Sequence, residues 1–383
     1  MDNYFAVTAP GLEPFTAREL TGLDFQLSPS TVQPSGGGIL FKGDLNDLFR
    51  ANLHLRTASR ILARLGSFFY ATTYPELQKR ASRLPWERFL SPGQPIVLRL
   101  TCHQSKLYNS EVVARNISAG LEQRLGKACP LVKADEAAGG HPPQLIVVRL
   151  VDDKCTISVD SSGELLHKRG YRLAVAKAPL RETLAAALLM ASAWDTSAPL
   201  LDPFCGSGTI PIEAALMRLG IPPGLNRRFA FMDWPGYDPQ AWAALRDQAA
   251  SINDSAVSVP PSILASDRDA GAIKMAHANA ELAGVEDAIE FKCQAVSSIT
   301  PPLGPGWVVT NPPYGVRLSQ GKDLRNLYAQ FGNVLRRQCP GWNVAVLCND
   351  PVLLGQMQVD LDTSLGFVNG GIRVRLATGK INP

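Results

Sequence analysis

Residues 201–217 read LDPFCGSGTIPIEAALM. The short apolar run APLLDPF reaches its end at Asp202. Gly206, Ser207 and Gly208 follow, and the pattern from Thr209 to Leu219 is helical. Glycines let a backbone take positive φ and approach a ligand closely. The start of the helix then faces that ligand with unpaired N–H groups. The same residues also make an ordinary tight strand–helix turn, and from this loop alone both readings stand. The dinucleotide fingerprint G-x-G-x-x-G fails here, because Pro211 occupies the third glycine position. The next acid to close a strand is Asp267, far beyond the roughly 20 residues that fingerprint needs. A nicotinamide oxidoreductase is excluded on that spacing.

Further along, strands and helices alternate. PSILASD is a second apolar run, closing at Asp267, and Asp269 to Ala283 is a helix stopped by Gly284. IEFKC and GWVVT read as the third and fourth strands. Asp323 to Gln338 is a helix, NVAVLCND a fifth strand, and GFVNGGIRVRLAT a hairpin around Asn369-Gly370. Strands with crossover helices, closed by an antiparallel hairpin, make a doubly wound sheet. Ligands in such sheets bind beyond the carboxyl ends of the strands. At such an end Asp267 can accept both hydroxyls of a ribose. It can equally cap the next helix, and the two roles are compatible.

The fourth strand runs into Asn311-Pro312-Pro313-Tyr314-Gly315. Prolines have no N–H, so this turn offers acceptors and not donors. The Asn311 side-chain carbonyl and the Pro312 backbone carbonyl can hold an –NH₂ group by both hydrogens. Tyr314 can stack on a base face, as aromatic side chains do for unstacked bases. An exocyclic amine is a poor nucleophile because its lone pair is delocalised. Acceptors that draw its hydrogens toward a tetrahedral arrangement localise that lone pair. This is positioning and electrostatics, and it needs no general base of perturbed pKa. The competing reading is a stiff structural turn.

The chain has 383 residues, long enough for two or three domains. Hydrophobic residues make up 45 % and charged residues 19 %, which excludes a disordered chain. No apolar run approaches the roughly 20 residues that span a bilayer. The N-terminus, MDNYFAVTAPGLEP, carries an early acid and no basic n-region, so no secretory signal is read there. A cytoplasmic location and no membrane association are expected. Seven cysteines, an odd number with no C-x-x-C spacing, argue for free thiols and against a zinc site.

The N-terminal half reads as small α+β modules. YFAVT is a strand, Glu13 to Leu20 a helix, and Asp44 an N-cap for a helix bearing Leu45, Leu48, Phe49 and Leu53. Leu77 to Phe89 and Ser110 to Leu125 read as helices. LIVVRLVDDKCTISVDSSG reads as two strands turning at Asp152-Asp153. Residues 1–180 hold 22 Lys+Arg against 16 Asp+Glu, and residues 181–383 hold 16 against 18. A basic N-terminal half suits a phosphate-binding surface. The segment LLHKRGYRLAVAKAPLRETLAAALLMAS marks the junction, near residues 165–178. There Lys168, Arg169 and Arg172 read either as contacts to RNA phosphates or as a solvated hinge.

Taken together, DPFCGSGT, SDRD and NPPY resemble motifs I, II and IV of class I methyltransferases that use S-adenosylmethionine. HKRGYR, APLRETLAAALL, DPFCGSGTIPIEAA, NPPYGVRL, NGGIRVRL and the opening FAVTAPGLEPFTAREL resemble a narrower group. That group is the bacterial THUMP-domain RNA methyltransferases, which make N2-methylguanosine in 23S ribosomal RNA and are related to tRNA enzymes. The resemblance covers most of the chain.

It implies a Rossmann-like domain with a seven-stranded, mostly parallel sheet over 179–383. A ferredoxin-like module over 1–66, a THUMP RNA-binding module over 67–164 and a basic linker over 165–178 would precede it. Asp202, Pro203, Phe204, Gly206, Ser207, Gly208, Thr209, Asp267, Arg268 and Asn311 would line the cofactor, with Pro179 and Thr183 near its methionine end. Asn311, Pro312, Pro313 and Tyr314 would hold the guanine. The family places an acid after the third strand to receive the adenine amine. Here FKCQAVSSI puts Gln294 there, whose carbonyl is the acceptor available. Structured RNA is the expected partner, ribosomal before transfer RNA, and no metal is expected. Adenine-N6 methylation of DNA and an RNA-binding protein with a vestigial site are the rival readings. The family also includes longer chains in which a second methyltransferase follows; none is expected after the hairpin here. Oligomeric state is left open.

Overall fold

The structure of the protein is a computed structural model, which describes residues 1–27, 37–133, 143–172, 180–251, 262–302, 304–314, 324–369 and 372–382. Pro179, Gly315, Asp323 and Gly370 lie outside the described residues. In chain order, β1 (Asp2–Thr8), α1 (Glu13–Gly22), β2 (Gly38–Gly43), α2 (Leu45–His54) and β3 (Ala58–Arg64) come first. They are followed by β4 (Phe69–Tyr70), α3 (Tyr74–Ala81), β5 (Ile96–His103), α4 (Ser110–Leu125), β6 (Gln144–Val151) and β7 (Lys154–Asp160). The C-terminal half holds α5 (Glu182–Ala191), β8 (Leu200–Asp202), α6 (Thr209–Arg218), α7 (Pro239–Ser251), β9 (Ile263–Asp267) and α8 (Ala270–Ala283). It ends with β10 (Ile289–Cys293), β11 (Trp307–Thr310), α9 (Arg325–Gln338), β12 (Asn343–Cys348), α10 (Pro351–Gln356), β13 (Asp362–Asn369) and β14 (Ile372–Lys380).

The second sheet has the order β10-β9-β8-β11-β12-β14-β13. Its first five strands are parallel, and β14 joins β12 antiparallel. The chain order reverses between β8 and β11, so the switch point falls where Asp202 and Thr310 end their strands. Leu200, Leu201, Val308, Val309 and Val344 to Cys348 are buried, as strands covered by helices on both faces require.

The first sheet has the order β2-β1-β3-β7-β6-β5, with β4 also against β7. The segments expected as ferredoxin-like and THUMP modules share one sheet. The seam is the antiparallel pair Leu62↔Asp160, Ala63↔Val159 and Arg64↔Ser158. Pairing there removes two edges that would otherwise be exposed. Asp152 and Asp153, with φ 51° and 59°, make the tight turn between β6 and β7. Asp44 caps α2 by a reciprocal box with Asp47.

One expectation is corrected. The helix expected over Leu77 to Phe89 is instead α3, capped by Thr73, followed by a separate 3₁₀ turn at Trp86–Arg88. Pro85 stops it, because the ring displaces the preceding turn and removes an N–H. The domain order along the chain does not divide the cores. Phe229, Phe231, Trp234 and Trp242 leave the methyltransferase domain and pack into the N-terminal core. Phe231 stacks on Phe49 at 4.4 Å, and Trp234 meets Phe89 edge-on at 4.8 Å. The Trp234 indole N–H donates to Gln144 Oε1 (2.9 Å).

Candidate active site

The loop after β8 is built around two carboxylates. Asp202 is buried; its Oδ1 accepts from Thr310 Oγ1 (2.6 Å) and from the Phe204 amide (3.2 Å). The end of β8 is thereby tied to the residue just before Asn311. Asp267 Oδ2 accepts from the Gly206 amide (3.0 Å), and Oδ1 from the Asp269 amide (3.0 Å). Asp267 thus ties the glycine loop to the start of α8, whose cap is Asp269.

Gly206 and Gly208 have φ of 52° and 85°, in the left-handed region. A Cβ on Gly208 would lie 3.0 Å from the Ala276 Cβ. Strain and contact act together, so Gly208→Ala should cost roughly 1–2 kcal/mol of stability. Differential scanning calorimetry would read that loss, and an unchanged melting temperature would overturn it. Asn279 Nδ2 holds the Ser207 carbonyl from α8 (3.0 Å). Asn279 and Thr310 were not singled out from sequence. The available signal was a polar side chain on the apolar stripe of Ala276, Ala280 and Ala283, and a threonine at a strand end.

Burial without a cationic neighbour pushes the Asp202 carboxyl from 3.8 up to about 7. The folded protein holds this proton at pH values where the unfolded chain has released it. Stability should therefore fall as pH rises from about 4 to 7. In Asp202→Asn that part of the slope should vanish, since Asn keeps an Oδ1 acceptor for Thr310. Urea midpoints across this range for both proteins would decide it, and parallel slopes would refute the assignment.

Three buried polar atoms just past the ends of parallel strands lack hydrogen-bond partners among the described residues. Asn311 Oδ1 stands after β11, Gln294 Nε2 after β10 and Asn349 Oδ1 after β12. All three lie at the carboxyl ends of parallel strands. An orphaned buried polar group costs about 1–3 kcal/mol, which a ligand group can recover. Tyr328 donates to the Pro313 carbonyl (3.3 Å) and braces the turn, while Phe204 rests edge-on against Phe331 at 5.1 Å. Tyr314 is half-buried and Pro312 buried. Thr183, near the start of α5, is buried, and Pro203 is buried beside Asp202. Arg268 is exposed.

The linker residues separate into three cases. Lys168 is exposed and pairs with Glu164 (2.7 Å). Arg172 is turned inward, donating to the Leu180 carbonyl (3.1 Å) and Thr209 Oγ1 (2.8 Å) and pairing with Glu182 (3.3 Å). Arg169 is buried, with its guanidinium on Glu213, the Leu166 carbonyl and the Arg56 carbonyl. Neither a phosphate contact nor a solvated hinge describes Arg169. A guanidinium with no access to solvent cannot meet a phosphate, and it joins the modules instead.

A model described as an RMKL-like methyltransferase domain matches residues 169–373. An RlmL ferredoxin-like domain matches 3–62, and a THUMP domain 71–160. The ribosomal RNA large subunit methyltransferase K/L of Methylococcus capsulatus is 34 % identical over 390 residues, covering 100 % of this chain and 51 % of that protein. The chain thus spans about half the length of such K/L relatives. The Synechocystis protein slr0064, whose name proposes an RNA methyltransferase, is 32 % identical over 96 % of this chain and 94 % of its own. SMU.472, a methyltransferase candidate solved with S-adenosylhomocysteine, superposes with TM-score 0.85 at 30 % identity, over 98 % of this chain and 97 % of that one. A domain match across more than half of the sequence, and a relative followed nearly end to end, make this chain a member of the RMKL-like methyltransferase family.

Proposed function

We propose that the chain transfers a methyl group from S-adenosylmethionine to the exocyclic N2 amine of a guanosine in structured RNA, with large-subunit ribosomal RNA as the substrate. The observation that carries this reading is the orphaned, buried Oδ1 of Asn311 at the switch point of the sheet. An acceptor fixed there, followed by two prolines, suits a donor –NH₂ and no anion.

The residues present fit the cofactor. A Cβ on Gly206 would meet nothing, so the backbone there leaves room for close approach, and Asp267 ends β9, a position from which a carboxylate can hold a ribose. Gln294 Nε2 is a buried donor in search of an acceptor. A glutamine amide can match the adjacent donor and acceptor of an adenine edge, whereas an acid offers acceptors alone. Gln294→Ala should weaken cofactor binding by roughly tenfold, taking one paired amide as about 1–3 kcal/mol. Calorimetry with S-adenosylhomocysteine would test this, and unchanged affinity would remove Gln294 from the site.

When bound, S-adenosylmethionine supplies an electrophilic sulfonium methyl. The chain's own part is alignment. Asn311 Oδ1 and the Pro312 carbonyl hold the amine hydrogens and orient its lone pair. Tyr314 covers one face of the base. The Asp202–Thr310 bond sets the distance between the cofactor loop and this clamp.

The test is transfer of labelled methyl to total RNA from a strain lacking the gene, followed by size fractionation and nucleoside digestion. Label in N2-methylguanosine of the 23S fraction is expected. Label in the transfer RNA fraction would change the substrate, and label in N6-methyladenosine would change the base.

A further inference from the structure

A cleft of about 1070 Å³ opens between the first sheet and the methyltransferase domain. One side is the edge strand β5, with Val97 and Arg99. The other carries Arg172, Arg181 and Glu182 at the start of α5. Since Arg172 donates to Thr209 Oγ1 at the head of α6, this end of the cleft adjoins the glycine loop.

Acids also line the cleft, but each is already paired. Asp160 meets Arg60, Glu164 meets Lys168, Glu182 meets Arg172 and Asp233 meets Arg228. Arg99 and Arg181 are exposed and have no acidic partner among the described residues. His167, on the same lining, is pushed down to about 4 by burial and then by Arg181, Arg169, Arg172 and Lys168. It is therefore neutral at pH 7 and adds nothing to either sign. Arg227 also lines the cleft without an acidic partner among the described residues, but its guanidinium is taken up by backbone carbonyls, so Arg99 and Arg181 are the unpaired charges left exposed to solvent.

The volume matches a small-ligand pocket. An A-form helix cannot enter such a space, but one extended strand can. A base taken out of its stack for chemistry brings such a strand with it. We infer that this cleft holds the phosphodiester backbone of a single RNA strand between the THUMP module and the methyl-transfer site, with Arg99 and Arg181 each neutralising a phosphate. The inference rests on RNA being the substrate.

The experiment compares wild type, Arg99→Ala, Arg181→Ala and the double variant by fluorescence anisotropy, with a labelled oligouridine of about twelve nucleotides. Affinity is followed against salt concentration. Each single variant should reduce the slope of log K against log salt by about 0.7, and the double variant by about 1.4. Oligoadenosine should weaken in parallel. Melting temperature and S-adenosylhomocysteine affinity report that the variants are folded. An unchanged slope in the double variant overturns the inference, as does wild type failing to bind the oligonucleotide. So would equal wild-type affinity for duplex DNA of the same length. Methyl transfer by wild type to total RNA is scored separately. Its absence would remove the guanosine reading and leave the salt slopes to judge the cleft.

Discussion

Asn311→Ala should reduce methyl transfer by roughly two to three orders of magnitude, the loss typical of removing one preorganised polar group at a reacting centre. Affinity for S-adenosylhomocysteine should stay within about threefold. The argument is local. Asn311 Oδ1 is buried and unpartnered among the described residues, so it does not hold the loop together. The turn keeps its brace from Tyr328 to the Pro313 carbonyl, and Thr310 keeps its bond to Asp202. On the clamp reading, truncation therefore removes an acceptor for the substrate while leaving these two bonds in place. Single-turnover transfer together with calorimetry separates the two effects. A variant with wild-type turnover would end the clamp reading, and one that fails to bind cofactor would place Asn311 in the cofactor site instead.

The second large effect is on stability. Glu213 on α6 is fully buried; its Oε1 accepts from the Tyr171 hydroxyl (3.1 Å) and Arg169 Nε (3.4 Å). Arg56 Nη1 stands 4.0 Å from Oε2. Arg56 comes from the first module; its Nη2 donates to the Leu216 carbonyl (3.2 Å) and the Ile221 carbonyl (2.6 Å) of the methyltransferase domain. Its backbone N–H in turn donates to the half-buried Glu19 (2.6 Å). Burial, and then the charge of Arg169, pull the Arg56 guanidinium below its usual range, against the opposing pull of Glu213. Glu213→Ala leaves two guanidinium groups buried without their carboxylate, a change that typically costs about 3–5 kcal/mol. Glu213→Gln keeps the shape and one acceptor and should cost less. Urea unfolding monitored by tryptophan fluorescence would measure both. A loss below about 1 kcal/mol for the alanine variant would show that the network is not a brace.

The sequence was enough to locate the strands of the second sheet. Parallel strands of a doubly wound sheet are short apolar runs, and each candidate residue either ends such a run, as Asp202 and Asp267 do, or directly follows it, as Gln294 and Asn311 do. Asp202, Asp267, Gln294 and Asn311 were therefore legible, because strand ends and their order along the chain determine what lies at the switch point. Local chemistry also identified Asp44 as a cap and Asp152-Asp153 as a turn.

The tertiary structure decided what distance along the chain conceals. The β3–β7 seam pairs residues about a hundred apart in sequence, and no periodicity encodes the partner of an edge strand. Phe229 and Phe231 read as part of one domain but bury their rings in the other, since hydrophobicity states that a residue is buried and not where. Arg169 and Arg172 looked like solvent-facing cations. Their partners, Glu213 and Glu182, lie in helices of the next domain, and only folding brings those carboxylates close enough to draw a guanidinium inside.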